Sequence, residues 1–426
     1  MQIVNNNNNN SSVSLLVNLS LIPGFNELLY HDSIINELKL NKVESRTNNG
    51  LSYKVITYDK NLLSNDLTGI YGFCRSIIVN SDNKVVCFAP PKSVSAYAFI
   101  DKYPGNSKSI VAEEFVEGTM INVFWDEKIG LTGGWEIATR NTIGATSRFY
   151  KSSSNNKTFR EMFLEAAKEC NLNIETLNPL YSYSFVLQHP SNRIVVPFEN
   201  SSLYLIAIYH IDNSDINNIR VYRMNMNAQD VMNWYKTSVK FPQIYSWSNY
   251  TELITTYASM NTSYDIVGVV LFNLITGERT KIRNPVYEEV RSLRGNQPKL
   301  QYQYLSLRKE GKVGDFLKYY PENKNEFSAF RDQIHLFTNI LFSNYIECYI
   351  KKENQLLHYS QQHRGHLYNL HQMYINELRE QKLFVTNRVV INYVNNLHPS
   401  LLMYSLNYNM RKRNIDFISL ESKEVL

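Results

Sequence analysis

Lys281 and Arg283 alternate along a strand-like run, a spacing that puts both cations on one face. Such a pair either meets phosphate oxygens or sits on a solvated face. Farther along, His358, His363, His366 and His371 gather in one stretch, and His363 and His366 share a face if that stretch is helical. A zinc site would need convergent ligands, usually with Cys or acidic partners. The Tyr and Gln neighbours point instead to a polar helix surface. Arg411-Lys-Arg413 reads as a solvated basic tail, with contact to RNA as the alternative. Cys74, Cys87, Cys170 and Cys348 are scattered without a Cys-x-x-Cys pair, so a disulfide framework is not expected and a reducing compartment fits better.

The elements that must hold these residues have two textures. With 426 residues, 43% of them hydrophobic, the chain suffices for two or three domains at roughly 100–200 residues each. A net charge of +5 permits a nucleic-acid or phosphate partner without requiring one. The run Asn5 to Asn10, followed by Ser11 and Ser12, has no apolar surface to bury, and residues 1–12 are expected to be disordered. The apolar stretch Leu15 to Ile22 is short, carries Asn18 and Ser20, and lacks a basic leader. It is neither a membrane span nor a signal peptide, and a cytoplasmic protein is expected.

From Leu51 onward strand signals dominate. Ser52 to Tyr58 alternates, and Arg75–Val79 and Lys84–Phe88 are joined by the hairpin signal Asn80-Ser-Asp-Asn83. Further strands are expected at Ile110–Ala112, Met120–Trp125, Trp135–Thr139, Tyr183–Leu187, Arg193–Val196, Leu203–His210, Ile266–Phe272 and Arg279–Ile282. Ser93–Tyr103 reads as a short helix, and Phe159–Glu169 as a helix with Phe159, Met162, Phe163 and Ala166 on one face. From about Pro298 the pattern is helical, notably over Asn323–Lys351 and Arg364–Phe384. The expected architecture is α+β: a core of antiparallel sheets with helices over residues 13–294, then an all-helical C-terminal domain over 295–426.

The motifs of the first part, taken in order, resemble the nucleotidyltransferase domain of the RNA ligase family, of the bacteriophage T4 RNA ligase 1 type. The series is Tyr53-Lys-Val-Ile-Thr-Tyr58, Cys74-Arg-Ser-Ile77, Glu114-Phe-Val-Glu-Gly-Thr119, Ala138-Thr-Arg-Asn-Thr142, Phe185-Val-Leu-Gln-His-Pro-Ser-Asn-Arg-Ile-Val195, Ile266-Val-Gly-Val-Val270 and Lys281-Ile-Arg283. It covers about Leu51 to Tyr287, and a helical C-terminal domain also suits that type. The implied fold is an ATP-grasp-like ligase core.

The implied chemistry begins with a lysine amine attacking the α-phosphate of ATP or GTP. It needs carboxylates for a metal and the ribose, and basic groups on the phosphate oxygens. On this alignment the lysine position is Phe115, whose ring has no lone pair to offer. Glu117 and Gly118 keep their places, but two later carboxylate positions are Val186 and Val267. Removing one member of a compensated set of buried charges is destabilising by roughly 3–5 kcal/mol, whereas replacing the whole set with apolar residues is often neutral or favourable. Phe115, Val186 and Val267 fit such a joint replacement. The basic positions survive as Arg75, Arg140, Lys281 and Arg283, with Lys92 near another; all would face phosphates.

The resemblance thus implies a catalytically degenerate, RNA-ligase-like protein without a catalytic residue or metal site. It would bind RNA ends or nucleotide phosphates through Arg75, Lys92, Glu117, Gly118, Arg140, Lys281 and Arg283. Two alternatives stand beside it. One is an active enzyme with a relocated lysine, Lys92 or Lys281, which would use ATP or GTP and magnesium. The other is a structural protein that binds a protein partner through the Tyr- and Leu-rich helical domain. An Asn tract beside such a domain is a composition met in proteins of large DNA viruses and of amoeboid hosts.

Overall fold

The computed structural model describes residues 13–30, 39–47, 50–148, 157–224, 234 and 236–411. The Asn tract, Lys412 and Arg413 lie outside them. The chain forms two compact units, Met1–Arg291 and Ser292–Leu426, where the sequence reading places its boundary at Arg294.

In the first unit the strands are β1 (Val13–Asn18), β2 (Leu40–Arg46), β3 (Ser52–Tyr58), β4 (Ile77–Val79), β5 (Val85–Phe88), β6 (Ile110–Glu114) and β7 (Thr119–Asp126). There follow β8 (Gly134–Ala138), β9 (Tyr181–Gln188), β10 (Ser202–Asp212), β11 (Arg220–Met224), β12 (Ile244–Tyr245), β13 (Gly268–Asn273) and β14 (Arg279–Arg283). They build three antiparallel sheets, ordered β1-β11-β10-β9-β7-β8, β12-β6-β13-β14 and β2-β3-β4-β5. The β4–β5 hairpin forms where its turn residues announce it, with Asn83 taking the left-handed backbone (φ 58°) that Asn tolerates well.

Helix Phe159–Glu169 begins with a capping box between Thr158 and Glu161 and lays its buried Phe163 and Ala166 on one face of the six-stranded sheet, against Phe185, Leu203 and Leu205. Alternation sends Val186 to the opposite face. On β10 a bulge changes the alternation: Leu205 pairs with Phe185, Ala207 pairs with Ser184, and Ile206 is the extra residue. Beyond it Ile208 packs on the helix side, while Ala207 and Tyr209 belong to the core on the other face.

The four-stranded sheet β12-β6-β13-β14 is two-faced in the same way. Ile110, Ala112, Val269 and Leu271 pack with Phe99 and Leu253, which come from helices Ala96–Lys102 and Tyr250–Tyr257. The intervening residues Glu113, Val270 and Phe272 line a recess.

In the second unit, helix Lys324–Tyr345 buries Phe327, Ile334, Phe337, Leu341 and Tyr345 at helical spacing and runs on into a π-turn, Ile346–Ile350. Helix Gln361–Met373 ends in a second π-turn, Tyr374–Leu378, short of the expected Phe384. Lys382 then adopts positive φ, which a helix does not accommodate. No helix of the described residues is long and apolar enough to cross a membrane. All four cysteines are free and buried.

Two sequence expectations are corrected. Arg193–Val196 is not a strand: the N–H groups of Val195 and Val196 donate to the carboxylate of Glu117 instead of to a neighbouring strand. His363 and His366 do not belong to a polar helix surface. His363 is 7% exposed and His366 6% exposed. Phe337 stacks on His363, and the ring nitrogens of His366 are hydrogen-bonded to Tyr393 at 2.9 Å and Ser405 at 2.8 Å.

Candidate phosphate-binding site

Strand register builds the first wall of the recess. Val270 stands opposite Glu113 on one side and Lys281 on the other, and Phe272 stands opposite Arg279. Arg279 and Lys281, two residues apart, therefore share the face that looks into the recess. Met120, Val186, Ile206, Tyr209 and Arg223 of the six-stranded sheet form the second wall. The bulge at Ile206 brings Tyr209 to this side, and its register partner Arg223 comes with it. Pro90, Pro91 and Pro242 also border the space, whose volume is about 60 Å³. At about 10–15 Å³ per water this holds a few waters or a group of similar size.

Phe115 lies in the lining. The Nζ of Lys281 stands 4.5 Å from its ring centroid and the guanidinium of Arg283 5.6 Å, both in the range of cation–π attraction. Burial pushes the Lys281 amine down to about 6, helped by the positive charges of Arg279, Arg75, Arg283 and Arg291. Arg279 is 8% exposed and its Nε has no hydrogen-bond partner. Burial, then Arg75, lowers its pKa to about 10. Arg75 is lowered in turn, by burial and then by Arg140. Cations are thus packed where each disfavours the charge of the next.

Arg75 and Arg140 do not line the recess but belong to this charge cluster. Arg140 lies over the ring of Tyr58, at 5.1 Å, and its carbonyl accepts from the Ser76 hydroxyl at 2.7 Å. Arg283 is engaged by Glu288, which also meets Arg291 at 3.3 Å. Lys92 lies outside the lining, its backbone N–H donating to Gly72 O at 2.9 Å.

Glu117 and Gly118 are drawn into the framework. The Glu117 carboxylate accepts from Val195 N–H at 2.8 Å and Val196 N–H at 3.1 Å, and the Tyr287 hydroxyl also bonds to it. Burial raises its pKa while these bonds lower it. Gly118, at φ 146°, lets β7 start hard against β9; a Cβ there would lie 2.4 Å from Leu187 O. Val186 is in the recess wall, whereas Val267 is buried just before β13, its carbonyl accepting from Asn284 N–H.

Two cations escaped the sequence reading. Arg279 precedes Lys281 and Arg283 in the same alternation, so its signal was present. Arg223 had none, because only the pairing of β10 with β11 brings it in. Valines stand at the two positions where the resemblance places carboxylates, and the carboxylates in the lining are Glu113 and Glu114.

No family model matches the chain. Archaeal ATP-dependent RNA ligase, in one crystal form, is 10% identical with a TM-score of 0.37, covering 68% of this chain and 72% of that one. An RNA ligase of Naegleria gruberi with ATP and Mn is 14% identical with a TM-score of 0.32, covering 58% and 76%. In sequence, a match to an RNA ligase of Rhodothermus phage RM378 spans 42% of this chain and 45% of that relative, under half the length of each. Over those 205 residues the chain is similar to an RNA ligase at 26% identity.

Proposed function

We propose that this chain is a catalytically degenerate, RNA-ligase-like nucleotidyltransferase fold, of the T4 RNA ligase 1 type, that binds the phosphates of RNA ends or nucleotides non-covalently. One observation carries the reading: Arg279 and Lys281, largely withdrawn from water, face a recess floored by Phe115, and the strongest charges acting on Lys281 are those of arginines. Of the carboxylates, Glu113 acts on Arg279, and closely packed buried cations remain costly, a cost that an anion relieves. The test is RNA binding measured across salt, for wild type and for the combined Arg75→Ala, Arg140→Ala, Lys281→Ala variant. Loss of affinity and a shallower salt slope in the variant support the reading; equal binding by both proteins refutes it.

A second reading has its own support. With its pKa near 6, the Lys281 amine is unprotonated at neutral pH and is a competent nucleophile. Lys92, outside the recess, lacks this setting. In this reading Lys281 Nζ forms a bond to the α-phosphorus of ATP, the bond to the leaving pyrophosphate breaks, and the amine proton passes to solvent. Incubation with α-labelled ATP or GTP, with Mg²⁺ or Mn²⁺ supplied, decides it. An acid-labile label on Lys281 establishes the enzyme, and its absence leaves the binding reading.

A further inference from the structure

We propose that the recess is a socket for one terminal phosphate group and that it fills by taking up a proton on Lys281 together with the anion. This rests on the phosphate-binding reading above and adds to it which phosphates are accepted and what accompanies them.

The size of the recess sets the ligand class. About 60 Å³ walled by Met120, Val186 and Ile206 gives room for a phosphate group beside Arg279 and Lys281. An internal phosphodiester carries a sugar on both sides, whereas a chain end or a free phosphate brings its phosphorus among these side chains with fewer groups to accommodate. The depth of the cations sets the charge. Arg279 is more than nine-tenths buried, lines the recess, and has an Nε with no partner. Lys281 is its neighbour on the same strand face.

Proton uptake follows from what surrounds Lys281. On its own strand are Arg279 and Arg283; Arg75 and Arg291 act on it from other elements. Arg223 lines the same space and Tyr209 stands opposite it in register. Two carboxylates, Glu113 and Glu114, line the recess as well, and Glu288 stands near it. Glu288 is held by Arg283 and Arg291. Glu114 accepts from Gln243 N–H at 3.2 Å and influences Tyr204 and Tyr245. Glu113, separated from Lys281 by Val270 in the same cross-strand row, acts on Arg279. Without a ligand the amine is therefore neutral at neutral pH. An anion within about 4–6 Å favours the charged amine by roughly ten- to thousandfold, so binding between pH 7 and 8 captures a proton. Linkage then weakens affinity as pH rises above 7, by at most about tenfold per pH unit. The phosphomonoester itself, with a second pKa of about 6, is already a dianion there.

The experiment is titration calorimetry of the full chain in two buffers of different ionisation enthalpy, at pH 7, 7.5 and 8. The ligands are one RNA oligonucleotide with a 5′-phosphate, the same oligonucleotide with a 5′-hydroxyl, and inorganic phosphate. The expected result is at least tenfold preference for the 5′-phosphate, with uptake approaching ~1 proton per bound phosphate. The Lys281→Arg variant carries a permanent charge and should bind without uptake and without the pH dependence. Inorganic phosphate binding with the same uptake at pH 8, where it is mostly the dianion, also supports the socket and shows that the group alone is recognised. Equal affinity for the two RNA ends overturns the socket while salt-dependent RNA binding survives. Preference for the phosphate without proton uptake overturns the coupling. If no ligand binds, the phosphate-binding reading falls as well.

Discussion

The Nζ of Lys281 stands 4.5 Å from the ring centroid of Phe115, so a cation from β14 occupies the space beside the position where the family resemblance calls for a lysine. The recess keeps an amine, but the amine arrives from β14, and arginines are the strongest charges acting on it.

Lys281 should therefore weaken the fold at neutral pH. Its folded pKa, about 6, lies below the ordinary lysine value of 10.5, so between these values the unfolded chain binds more protons and stability rises with pH. Thermal unfolding of wild type and Lys281→Met across pH 7 to 9.5 checks this. The variant should be more stable at pH 7, and the gap should close with rising pH by at most about 1.4 kcal/mol per unit. A Lys281→Met variant less stable than wild type at pH 7 would contradict it.

Restoring a lysine by Phe115→Lys should not restore chemistry. The new cation would join Lys281 and Arg283 without the carboxylates whose aligned positions are Val186 and Val267. We expect a loss of roughly 2–4 kcal/mol in denaturant unfolding and no acid-labile nucleotide label. A labelled Phe115→Lys protein would show that the rest of the centre is intact.

Glu117 should prove a structural residue. Glu117→Ala strands the N–H groups of Val195 and Val196, and should cost roughly 2–4 kcal/mol in urea unfolding, with Glu117→Gln intermediate. Phosphate affinity of the folded fraction should hardly change. Unchanged stability would mean that water replaces the carboxylate.

The helical unit should be acid-sensitive. Burial pushes His366 down to about 4, below the unfolded value near 6.5, and lowers His363 as well. Below pH 6.5 the unfolded state binds more protons, so stability falls as pH drops toward 4, by at most about 1.4 kcal/mol per unit for each histidine. Hydrogen exchange across helix Gln361–Met373 at pH 7 and pH 5 reads this directly. Exchange that slows or stays constant on acidification, after correction for the intrinsic rate, is the contrary outcome.

The sequence by itself determined what is written in neighbouring residues. Helix Phe159–Glu169 shows its apolar face and capping box in one run, and the β4–β5 hairpin announces its own turn. Lys281 and the apolar Phe115 and Val186 were legible as site residues because short motifs carry them in order. Tertiary structure alone decided the rest, because those outcomes depend on partners remote in the chain. Val195 is withdrawn from strand pairing by Glu117, 78 positions away. Arg223 reaches the recess through the pairing of β11 with β10, and Tyr209 through a bulge that only the register with β9 reveals. His366 is buried because Ser405, 39 positions on, and Phe337 close over it. The low pKa of Lys281 has the same origin: burial and the charges of Arg75 and Arg291 act through space, and no local spacing reports them.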